Sequence, residues 1–364
     1  MTDLSLSERL LHELPTWARE LGFADAACAS LELDQDLQHL RDWLSAGYHG
    51  EMQYMARDPE MRATPAQLQP NTLSVISVRM DYLVQPLAEA QAQLGRGDHA
   101  YVARYALGRD YHKLIRKQLV KLAERMQALI GAFGYRVLTD SAPSLEKALA
   151  RNAKLGWIGK NTLLLNKQAG SLFFLGEIYT DLPLPPPDPA PPQNHCGSCS
   201  ACLDICPTNA FVGPHQLDAR RCIAYLTIEH RGAIPEELRP LMGNRIFGCD
   251  DCQLVCPWNR YAQLSPVADF APRHQLDSAE LLTLWAWDET DFLRNTEGMA
   301  LRRTGWRGWL RNLAVALGNA PADPAIVTAL NSRLGLQDEM IGEHISWALQ
   351  QQQRKLQSRN TSGV

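Results

Sequence analysis

Eight of the nine cysteines in this 364-residue chain lie between Cys196 and Cys256, and this clustering limits its fold and chemistry more than any other feature. The first four have the spacing C-x2-C-x2-C-x3-C-P, which ends at Cys206 and is the spacing of bacterial ferredoxins. The second run, from Cys249 to Cys256, is one cysteine short of that motif, and Cys222 lies upstream to supply it. Eight thiolates in this pattern predict two 4Fe–4S clusters.

The position of proline after each run suggests how the ligands divide between the clusters. In two-cluster ferredoxins, the cysteine before the proline binds the other cluster. Proline fixes φ and has no N–H group, so it turns the chain away after that ligand. One cluster is therefore predicted to bind Cys196, Cys199, Cys202 and Cys256. The other is predicted to bind Cys206, Cys222, Cys249 and Cys252.

Other uses of the cysteines fit the pattern less well. Zinc sites commonly use paired C-x2-C knuckles with four ligands for each ion. Disulfide frameworks are typical of short secreted chains, whereas this chain is long and residues 1–14 have no signal-peptide character. The C-x3-C-x2-C order that radical S-adenosylmethionine enzymes use does not occur in the sequence. The pattern therefore favours a protein through which electrons pass.

Composition narrows the class of protein further. Hydrophobic residues make up 45% of the chain, which is enough for a full core, and the length predicts two or three domains. No apolar run approaches the roughly 20 residues of a membrane span, so we expect a cytoplasmic protein with no membrane partner. The net charge of −4 argues against indiscriminate nucleic-acid binding, but it allows a local basic face.

A proline-rich stretch predicts a boundary between domains. Seven of the ten residues from Pro183 to Pro192 are proline, which is typical of a stiff linker. We therefore expect three domains, at residues 1–182, 183–264 and 265–364. The first has an α/β (α+β) pattern, although residues 1–60 are expected to be helical and residues 91–98 to form a loop. The second holds the cysteines, and the third has an all-helical pattern.

The first domain contains candidates for a catalytic or ligand-binding site. Residues 135–139 have a strand pattern and Ser144 is expected to cap the next helix, so Asp140 lies between a strand end and a helix start. Acids at strand ends are common in α/β active sites, and a turn or capping aspartate is the alternative. Arg57 is a candidate ligand contact, with a solvated arginine as the alternative. Lys160 lies in a glycine-flanked turn that lacks the Walker spacing.

Two basic stretches are candidates for contact with an RNA backbone. Lys113 lies off the apolar side of a helix predicted from His112 to Phe133, and a solvated face is the alternative. Near the C-terminus, four arginines accompany Trp306 and Trp309. Arginine contacts phosphate and tryptophan stacks on bases, whereas the alternative is a helical-repeat face with tryptophans in the core. These four arginines are Arg302, Arg303, Arg307 and Arg311.

The chain resembles the epoxyqueuosine reductase family over nearly its whole length. The stretches that carry the resemblance are Tyr48–Met52, Arg104–Lys113, Asp140–Pro143, Leu155–Lys160, Gly170–Glu177 and Gly248–Asn259. The resemblance implies an oxidoreductase that reduces the epoxide of epoxyqueuosine at the wobble position of tRNA, the last step of queuosine synthesis. It also implies cobalamin beside the two 4Fe–4S clusters, an arrangement that the family shares with reductive dehalogenases.

The resemblance further implies how the domains are used. The N-terminal domain is expected to be nitroreductase-like and to hold cobalamin base-off, the cluster domain to be ferredoxin-like, and the C-terminal helices to be HEAT-like and to contact tRNA. An external electron donor of the flavodoxin or ferredoxin type is expected to feed the clusters, and we expect a monomer. The Asp-x-His-x-x-Gly motif of histidine-bound cobalamin is absent, because the stretch from Asp110 to Ile115 lacks the glycine.

The same resemblance assigns roles to residues. Asp140 matches the family's proton donor for the opening epoxide oxygen, and burial against the corrin is expected to raise its pKa. Candidate cofactor contacts are Arg57, Tyr105, Asp140, Lys160, Asn161 and Ser171. Candidate tRNA contacts are Lys113, Arg302, Arg303, Arg307 and Arg311.

Two other functions remain open at this point. One is a cobalamin-dependent, reductive-dehalogenase-like enzyme that acts on a small molecule, for which the arginine-rich C-terminal helices have no evident use. The other is a ferredoxin module that serves a separate partner, which leaves the distinctive stretches between Tyr101 and Glu177 unexplained. Bound cobalamin distinguishes the module from the two enzymes, and competition by tRNA distinguishes the enzymes from each other.

Overall fold

The computed structural model describes residues 5–186 and 193–361, so part of the predicted proline-rich linker, residues 187–192, lies outside the described residues. The strands are β1 Asp25–Ala29, β2 Ser74–Asp81, β3 Tyr101–Val102, β4 Tyr135–Leu138, β5 Trp157–Ile158, β6 Leu164–Leu165, β7 Phe173–Thr180, β8 Phe211–Gly213, β9 Gln216–Leu217 and β10 Arg245–Phe247.

The helices alternate with these strands in the first half of the chain and dominate the last hundred residues. They are α1 Leu6–Glu20, α2 Asp34–Ser45, α3 Gln53–Ala56, α4 Pro59–Ala63, α5 Pro65–Leu68, α6 Leu87–Gly95, α7 Tyr111–Ile130, α8 Glu146–Asn152, α9 Ala201–Asp204, α10 Ile223–Ile228, α11 Asp251–Leu254, α12 Leu281–Trp285, α13 Glu289–Asn295, α14 Gly305–Asn319, α15 Pro324–Asn331 and α16 Glu339–Thr361. In the described ranges, no helix has the length and apolar character needed to cross a membrane.

The N-terminal part is built on a four-stranded antiparallel sheet with the order β1-β2-β7-β4. The two central strands, β2 and β7, are almost entirely buried, as their runs of apolar residues predict. Helices α1 and α7 pack on one face of the sheet, and α8 packs on the other. This arrangement holds the loop after β4, which carries Asp140, beside the first turn of α7.

Helix α7 confirms the helix predicted from the apolar periodicity. Its residues Ile115, Leu119, Leu122 and Met126 are buried. Asp110 is the N-cap, and its carboxylate accepts a hydrogen bond of 3.0 Å from the His112 backbone N–H. The cap fixes the position of the helix start, and with it the orientation of the His112 side chain toward β4.

A second core joins the cysteine-bearing segment to the C-terminal helices. Apolar residues of α10 and β10 belong to the same buried cluster as those of α14 and α16. Trp309 is fully buried there and stacks on Trp287, with ring centroids 5.5 Å apart. Trp306 also lies against Phe292. The two tryptophans that were predicted to stack on RNA bases are therefore packing residues.

Three local predictions were wrong. Strand β1 lies within residues 1–60, where only helices were expected, because its short run of small residues is stabilised by pairing with β2. Helix α6 covers part of the expected loop 91–98, since its Ala, Leu and Gln residues favour a helix up to Gly95. Ser144 does not cap α8, because its hydroxyl is hydrogen-bonded to that of Tyr179 at 2.7 Å.

Candidate functional site

Four cysteines surround a cavity of about 210 Å³ beside the loop that follows the linker. They are Cys196, Cys199, Cys202 and Cys256, the set predicted for one cluster. Burial, together with the neighbouring Cys256 and Cys196, raises the pKa of the Cys202 thiol to about 11. Crowded thiolates of this kind need a positively charged group among them, and an iron–sulfur cluster fits the donor set and the enclosed space.

The other four cysteines also lie close together. Cys222 is the residue before α10, and Cys249 and Cys252 lie at the start of α11. Burial, followed by the charges of neighbours that include Cys222, raises the thiol pKa of both Cys249 and Cys252. Cys206 is likewise near enough to raise the pKa of Cys222. In the described ranges, no group of three or more Cys, His, Asp or Glu side chains is close enough together to hold a single metal ion.

Two predicted cofactor contacts lie against the loops that carry these cysteines. The Lys160 ammonium donates hydrogen bonds of 2.8 Å to the backbone carbonyls of Gly197 and Cys199. Asn161 is 4% exposed, and its amide lies 3.5 Å from the carbonyl of Cys252. Both residues also line the cysteine cavity. The turn between β5 and β6 therefore reaches from one group of cysteines to the other.

Ser171 joins the N-terminal part of the chain to the segment that carries Cys249 and Cys256. Its backbone N–H donates to the Asn259 side-chain oxygen at 2.6 Å, and its carbonyl accepts a hydrogen bond of 2.9 Å from Gln253. The hydroxyl lies within 3.3 Å of polar atoms of the same two side chains, and the residue is buried. The polar groups of Ser171 are thus all paired within the protein, and its contact with the cofactor stays a prediction.

Asp140 is held in a polar depression at the end of β4. Its backbone has a φ of 46°, a left-handed conformation that non-glycine residues adopt mainly at special sites. Its carboxylate accepts a short hydrogen bond from the Tyr111 hydroxyl and lies 3.2 Å from His112 Nε2. The side chain is 56% exposed, so a substrate in the depression has access to it.

The electrostatics of Asp140 differ from the prediction. Removal from water acts to raise its pKa, but hydrogen bonds from His112 and Tyr111 outweigh this effect, and the net result is a lowered pKa. The expectation of a raised pKa rested on burial against the corrin, whereas the protein alone gives the carboxylate two hydrogen-bond donors. In the protein alone, the carboxylate form of Asp140 is therefore favoured at neutral pH.

Tyr105 connects this depression to the second group of cysteines. Its ring packs edge-on against Tyr111, at 6.2 Å, and also lies 6.3 Å from the ring of Phe247, two residues before Cys249. Burial raises the pKa of Tyr105, and the charges of Asp140 and Asp250 raise it further. Tyr105 therefore stands between the Asp140 carboxylate and the loop that carries Cys249.

Arg303 lies at the edge of the same depression. It forms a bidentate ion pair with Glu229, at 2.7 and 2.9 Å, and its guanidinium is 5.8 Å from the ring centre of Tyr54. Its charge contributes to the low pKa of Asp140. Arg303 was predicted from the sequence only as an RNA contact, and the structure brings it to the catalytic candidate as well.

The remaining predicted contacts are distributed over the surface, with one exception. Arg57 and Lys113 are exposed, Arg302 donates to the carbonyl of Leu293 at 2.6 Å, and Arg307 pairs with Asp338 at 2.5 Å. Arg311 is 1% exposed and donates to the backbone carbonyls of Leu226, His230 and Gly232. The prediction that Arg311 contacts RNA is wrong, because its guanidinium fills a buried site.

Sequence reasoning missed several polar groups around Asp140. Tyr111 and His112 were visible only as part of an incomplete cobalamin motif. Glu177 on β7 is fully buried, and its carboxyl oxygens have no hydrogen-bond partner among the described residues. Burial, with the charges of Glu146 and Asp140, raises the pKa of Glu177 well above its usual range, which favours a neutral carboxyl. A charged residue within the apolar run of β7 was the available signal.

Two family models match this chain. A 4Fe–4S double cluster binding domain matches residues 195–259, and the epoxyqueuosine reductase QueG (DUF1730) model matches residues 62–141. The first match covers all eight clustered cysteines, and the second covers the segment that ends at Asp140 and Ser141.

Curated relatives match over nearly the full length. Epoxyqueuosine reductase from Pseudomonas aeruginosa is 60% identical over 341 residues, which cover 94% of this chain and 94% of the relative. The enzyme of the same name from Escherichia coli is 54% identical over 344 residues, which cover 94% of this chain and 90% of the relative.

Solved structures share the fold at lower identity. A crystal structure of epoxyqueuosine reductase with an epoxyqueuosine-modified tRNA-Tyr stem loop has a TM-score of 0.79 at 26% identity, covering 95% of this chain and all of the other. A Bacillus subtilis epoxyqueuosine reductase, solved with an aspartate-bearing catalytic loop swung out of the active site, has a TM-score of 0.77 at 26% identity, covering 95% of this chain and 99% of the other. Because curated relatives that are 54–60% identical match over nearly its whole length, this chain belongs to the epoxyqueuosine reductase family.

Proposed function

We propose that this protein reduces epoxyqueuosine in tRNA to queuosine. The observation that carries the proposal is the position of Tyr105, which packs between the Asp140 depression and the loop of Cys249. Tyr105 thus lies between an acid that faces the substrate and a loop that carries cluster ligands. Family membership supports the substrate, since a relative of this fold was crystallised with an epoxyqueuosine-modified tRNA stem loop.

We assign the functional parts of the chain to the three domains predicted from the sequence. Residues 1–182 form a nitroreductase-like domain that binds the cofactor and substrate, and residues 183–264 form a ferredoxin-like domain with the clusters assigned to cysteines as above. Residues 265–364 form HEAT-like helices that help to bind tRNA, with Arg302, Arg303, Arg307 and, from α7, Lys113 as phosphate contacts. The protein acts as a cytoplasmic monomer. The shared core of α10, β10, α14 and α16 supports a rigid connection between the last two parts.

Electrons enter at the cluster of Cys196, Cys199, Cys202 and Cys256. Residues 197–200 of its loop are exposed, so an external donor of the flavodoxin or ferredoxin type has access to this side. Asn161 lines this cavity and contacts the carbonyl of Cys252, a ligand of the second cluster, so the two clusters are adjacent. The second cluster then faces Tyr105 and the catalytic depression.

The surroundings of Asp140 fit cobalamin, because the Asp140 side chain is exposed and Tyr105 lies between it and the loop of Cys249. Tyr105, Asp140 and Arg57 are available from the N-terminal domain, and Lys160 and Asn161 lie at the cluster side. His112 has both ring nitrogens beside carboxylates, so it is not offered as a cobalt ligand, which fits the absence of the Asp-x-His-x-x-Gly motif. Cobalamin, when bound, supplies a cobalt centre that accepts single electrons and reacts with the epoxide carbon. Asp140 orients the epoxide oxygen and delivers a proton to it as the C–O bond opens.

The test is an anaerobic assay on the reconstituted protein with epoxyqueuosine-containing tRNA, with and without added cobalamin. The tRNA is digested and its nucleosides are identified by mass spectrometry. We expect queuosine only when cobalamin is present. Failure to convert tRNA with both clusters and cobalamin bound would favour a small-molecule reductase, and conversion without cobalamin would show that the cofactor assignment is wrong.

A further inference from the structure

Both ring nitrogens of His112 face carboxylates. Nδ1 lies 2.6 Å from Asp110 Oδ1, and Nε2 lies 3.2 Å from Asp140 Oδ2. A neutral imidazole has one N–H group and one lone pair, so one of the two carboxylates would then face a lone pair. Only the doubly protonated imidazolium donates to both acids. The geometry therefore favours a histidine that carries a proton and a positive charge.

The ring is also held firmly in this position. It stacks on Tyr111, with centroids 4.2 Å apart and planes at 23°, and Tyr111 stacks in turn on Phe174 at 3.9 Å. The His112 side chain is 26% exposed and that of Asp140 is 56% exposed. Protons exchange only at the ring nitrogens, and the exposed Asp140 carboxylate leaves the Nε2 side of the ring accessible to water.

The charges around His112 favour its protonation. Burial acts to lower its pKa, but hydrogen bonds to Asp110 and Asp140 outweigh burial and raise the pKa to about 9. Glu146 at the start of α8 adds a further acidic group, and its own pKa is raised to about 8 by burial and by Asp140. The positive groups nearby are Lys113 and Arg116 on α7 and Arg303. Arg116 donates a hydrogen bond to the Ser141 hydroxyl, and Arg303 lowers the pKa of Asp140.

Reduction of an epoxide to an alkene consumes two protons. Both C–O bonds break, two electrons arrive from the external donor through the clusters, and the oxygen leaves as water. Asp140 alone does not hold these protons at neutral pH, because its carboxylate form is favoured. A group beside Asp140 must therefore store the proton that Asp140 passes to the substrate.

We propose that His112, oriented by Asp110, is the proton reservoir from which Asp140 is recharged during epoxide reduction, an inference that rests on the function proposed above. The Nε2–H bond breaks, and the proton moves to Asp140 Oδ2 and then to the epoxide oxygen. A proton from solvent on the exposed Asp140 side then returns to Nε2, and the second proton follows the same path. His112 acts through Asp140 and is a positioning residue, not a group that contacts the substrate.

The first test measures the charge of His112 directly. In protein labelled with ¹⁵N-histidine and with its clusters intact, the His112 signals are assigned by their loss in His112→Gln. We expect both nitrogens to be protonated at pH 7.5, with a midpoint near pH 9, and the midpoint to fall in Asp110→Asn because one acceptor loses its charge. A neutral His112 at pH 7.5 would overturn the inference, whatever the activity of the enzyme.

The second test measures the pH dependence of single-turnover reduction. We expect His112→Gln to keep its clusters, its cobalamin and its affinity for tRNA, and to react roughly 10²- to 10⁴-fold more slowly at neutral pH. The alkaline loss of activity near pH 9 should also disappear, which a purely structural defect would not cause. His12→Gln is the matched control, since His12 is exposed on α1 and should change neither rate nor pH profile.

The two tests separate this inference from the function that it builds on. If the wild-type protein converts no epoxyqueuosine, the proposed function fails, and the inference fails with it even if the NMR experiment shows a charged His112. If the wild-type protein is active but His112→Gln keeps the wild-type rate and pH profile, only the proton reservoir is wrong.

Discussion

Arg303 donates two hydrogen bonds to Glu229, of 2.7 and 2.9 Å, at the edge of the depression that contains Asp140. Glu229 follows directly after α10, which begins beside Cys222, whereas Arg303 precedes α14. The pair therefore joins the cysteine-bearing segment to the C-terminal helices next to Asp140. The Arg303 guanidinium is close enough to lower the pKa of Asp140, and we propose that it also contacts the tRNA backbone.

Neutralising Arg303 should weaken tRNA binding in a salt-dependent way. We expect Arg303→Gln to lower the affinity for the tRNA stem loop and to reduce the slope of log K against log salt by about one unit, because one phosphate contact is lost. Arg307→Gln should have a similar effect, whereas Arg311→Gln should leave the slope unchanged, because Arg311 is buried. Fluorescence anisotropy at several salt concentrations measures this. An unchanged slope in Arg303→Gln would return Arg303 to a structural role.

Loss of the Asp140 carboxylate should stop turnover without loss of the cofactors. We expect Asp140→Asn to fold, to bind both clusters and to reduce epoxyqueuosine roughly 10²- to 10⁴-fold more slowly, because an amide does not relay a proton. Tyr111→Phe removes one hydrogen-bond donor to the same oxygen and should have a smaller effect. Single-turnover rates and the visible absorbance of the clusters are the measurements. Full activity in Asp140→Asn would show that another group protonates the epoxide oxygen.

Removal of one ligand should separate the two clusters. We expect Cys199→Ser to lose the exposed cluster and therefore about four of roughly eight iron atoms, while the other cluster remains. Cys28→Ser is the control, because Cys28 lies buried in β1, away from both groups of cysteines. Iron analysis and electron paramagnetic resonance of the reduced proteins distinguish these results. Loss of all the iron in Cys199→Ser would mean that the clusters assemble as one unit.

The features that could be predicted from the sequence are those that depend on local spacing. The cysteine motifs indicate which thiols come together, and the apolar periodicity of α7 indicates its length and buried side. Asp140 was identified because a strand pattern ends just before it. For α7 and Asp140 the relevant neighbours lie within a few residues along the chain, so propensity and pattern carry the information. The grouping of Cys256 with Cys196, Cys199 and Cys202 spans a longer stretch, and it followed from the known spacing of ferredoxin ligands.

The features that could not be predicted depend on partners that are distant in the sequence. Ser171 is bonded to Asn259, which lies 88 residues away, and a small polar residue in a family motif gives no sign of that pairing. Arg311 belongs to an arginine-rich stretch that looks basic and exposed, yet the carbonyls near the end of α10 accept its hydrogen bonds. The pKa of Asp140 could not be inferred either, since it depends on two donors from α7.

The contact between Ser171 and Asn259 should stabilise the junction of the two domains. We expect Asn259→Ala to destabilise the protein by about 1–3 kcal/mol, because the buried N–H of Ser171 loses its acceptor. Ser171→Ala should cost less, about 0.5–1.5 kcal/mol, since the backbone hydrogen bond remains. Chemical denaturation with the clusters intact measures both changes. Equal losses would indicate that the Ser171 hydroxyl, and not its N–H, is the main partner of Asn259.

The buried His344 should make the protein sensitive to acid. Its Nδ1–H donates to the Met340 carbonyl at 2.7 Å and its Nε2 accepts from the Ile234 N–H at 3.1 Å, so the ring is neutral, and burial lowers its pKa to about 4. The pKa of His344 is lower in the folded than in the unfolded protein. The contribution of its neutral ring to folding stability is therefore complete above about pH 6.5 and is lost as the pH falls toward 4. This loss amounts to about 3 kcal/mol. We expect the free energy of unfolding of His344→Gln, measured by denaturant unfolding, to fall less between pH 6.5 and 4 than that of the wild-type protein. An equal fall in both proteins would assign the acid sensitivity to other groups.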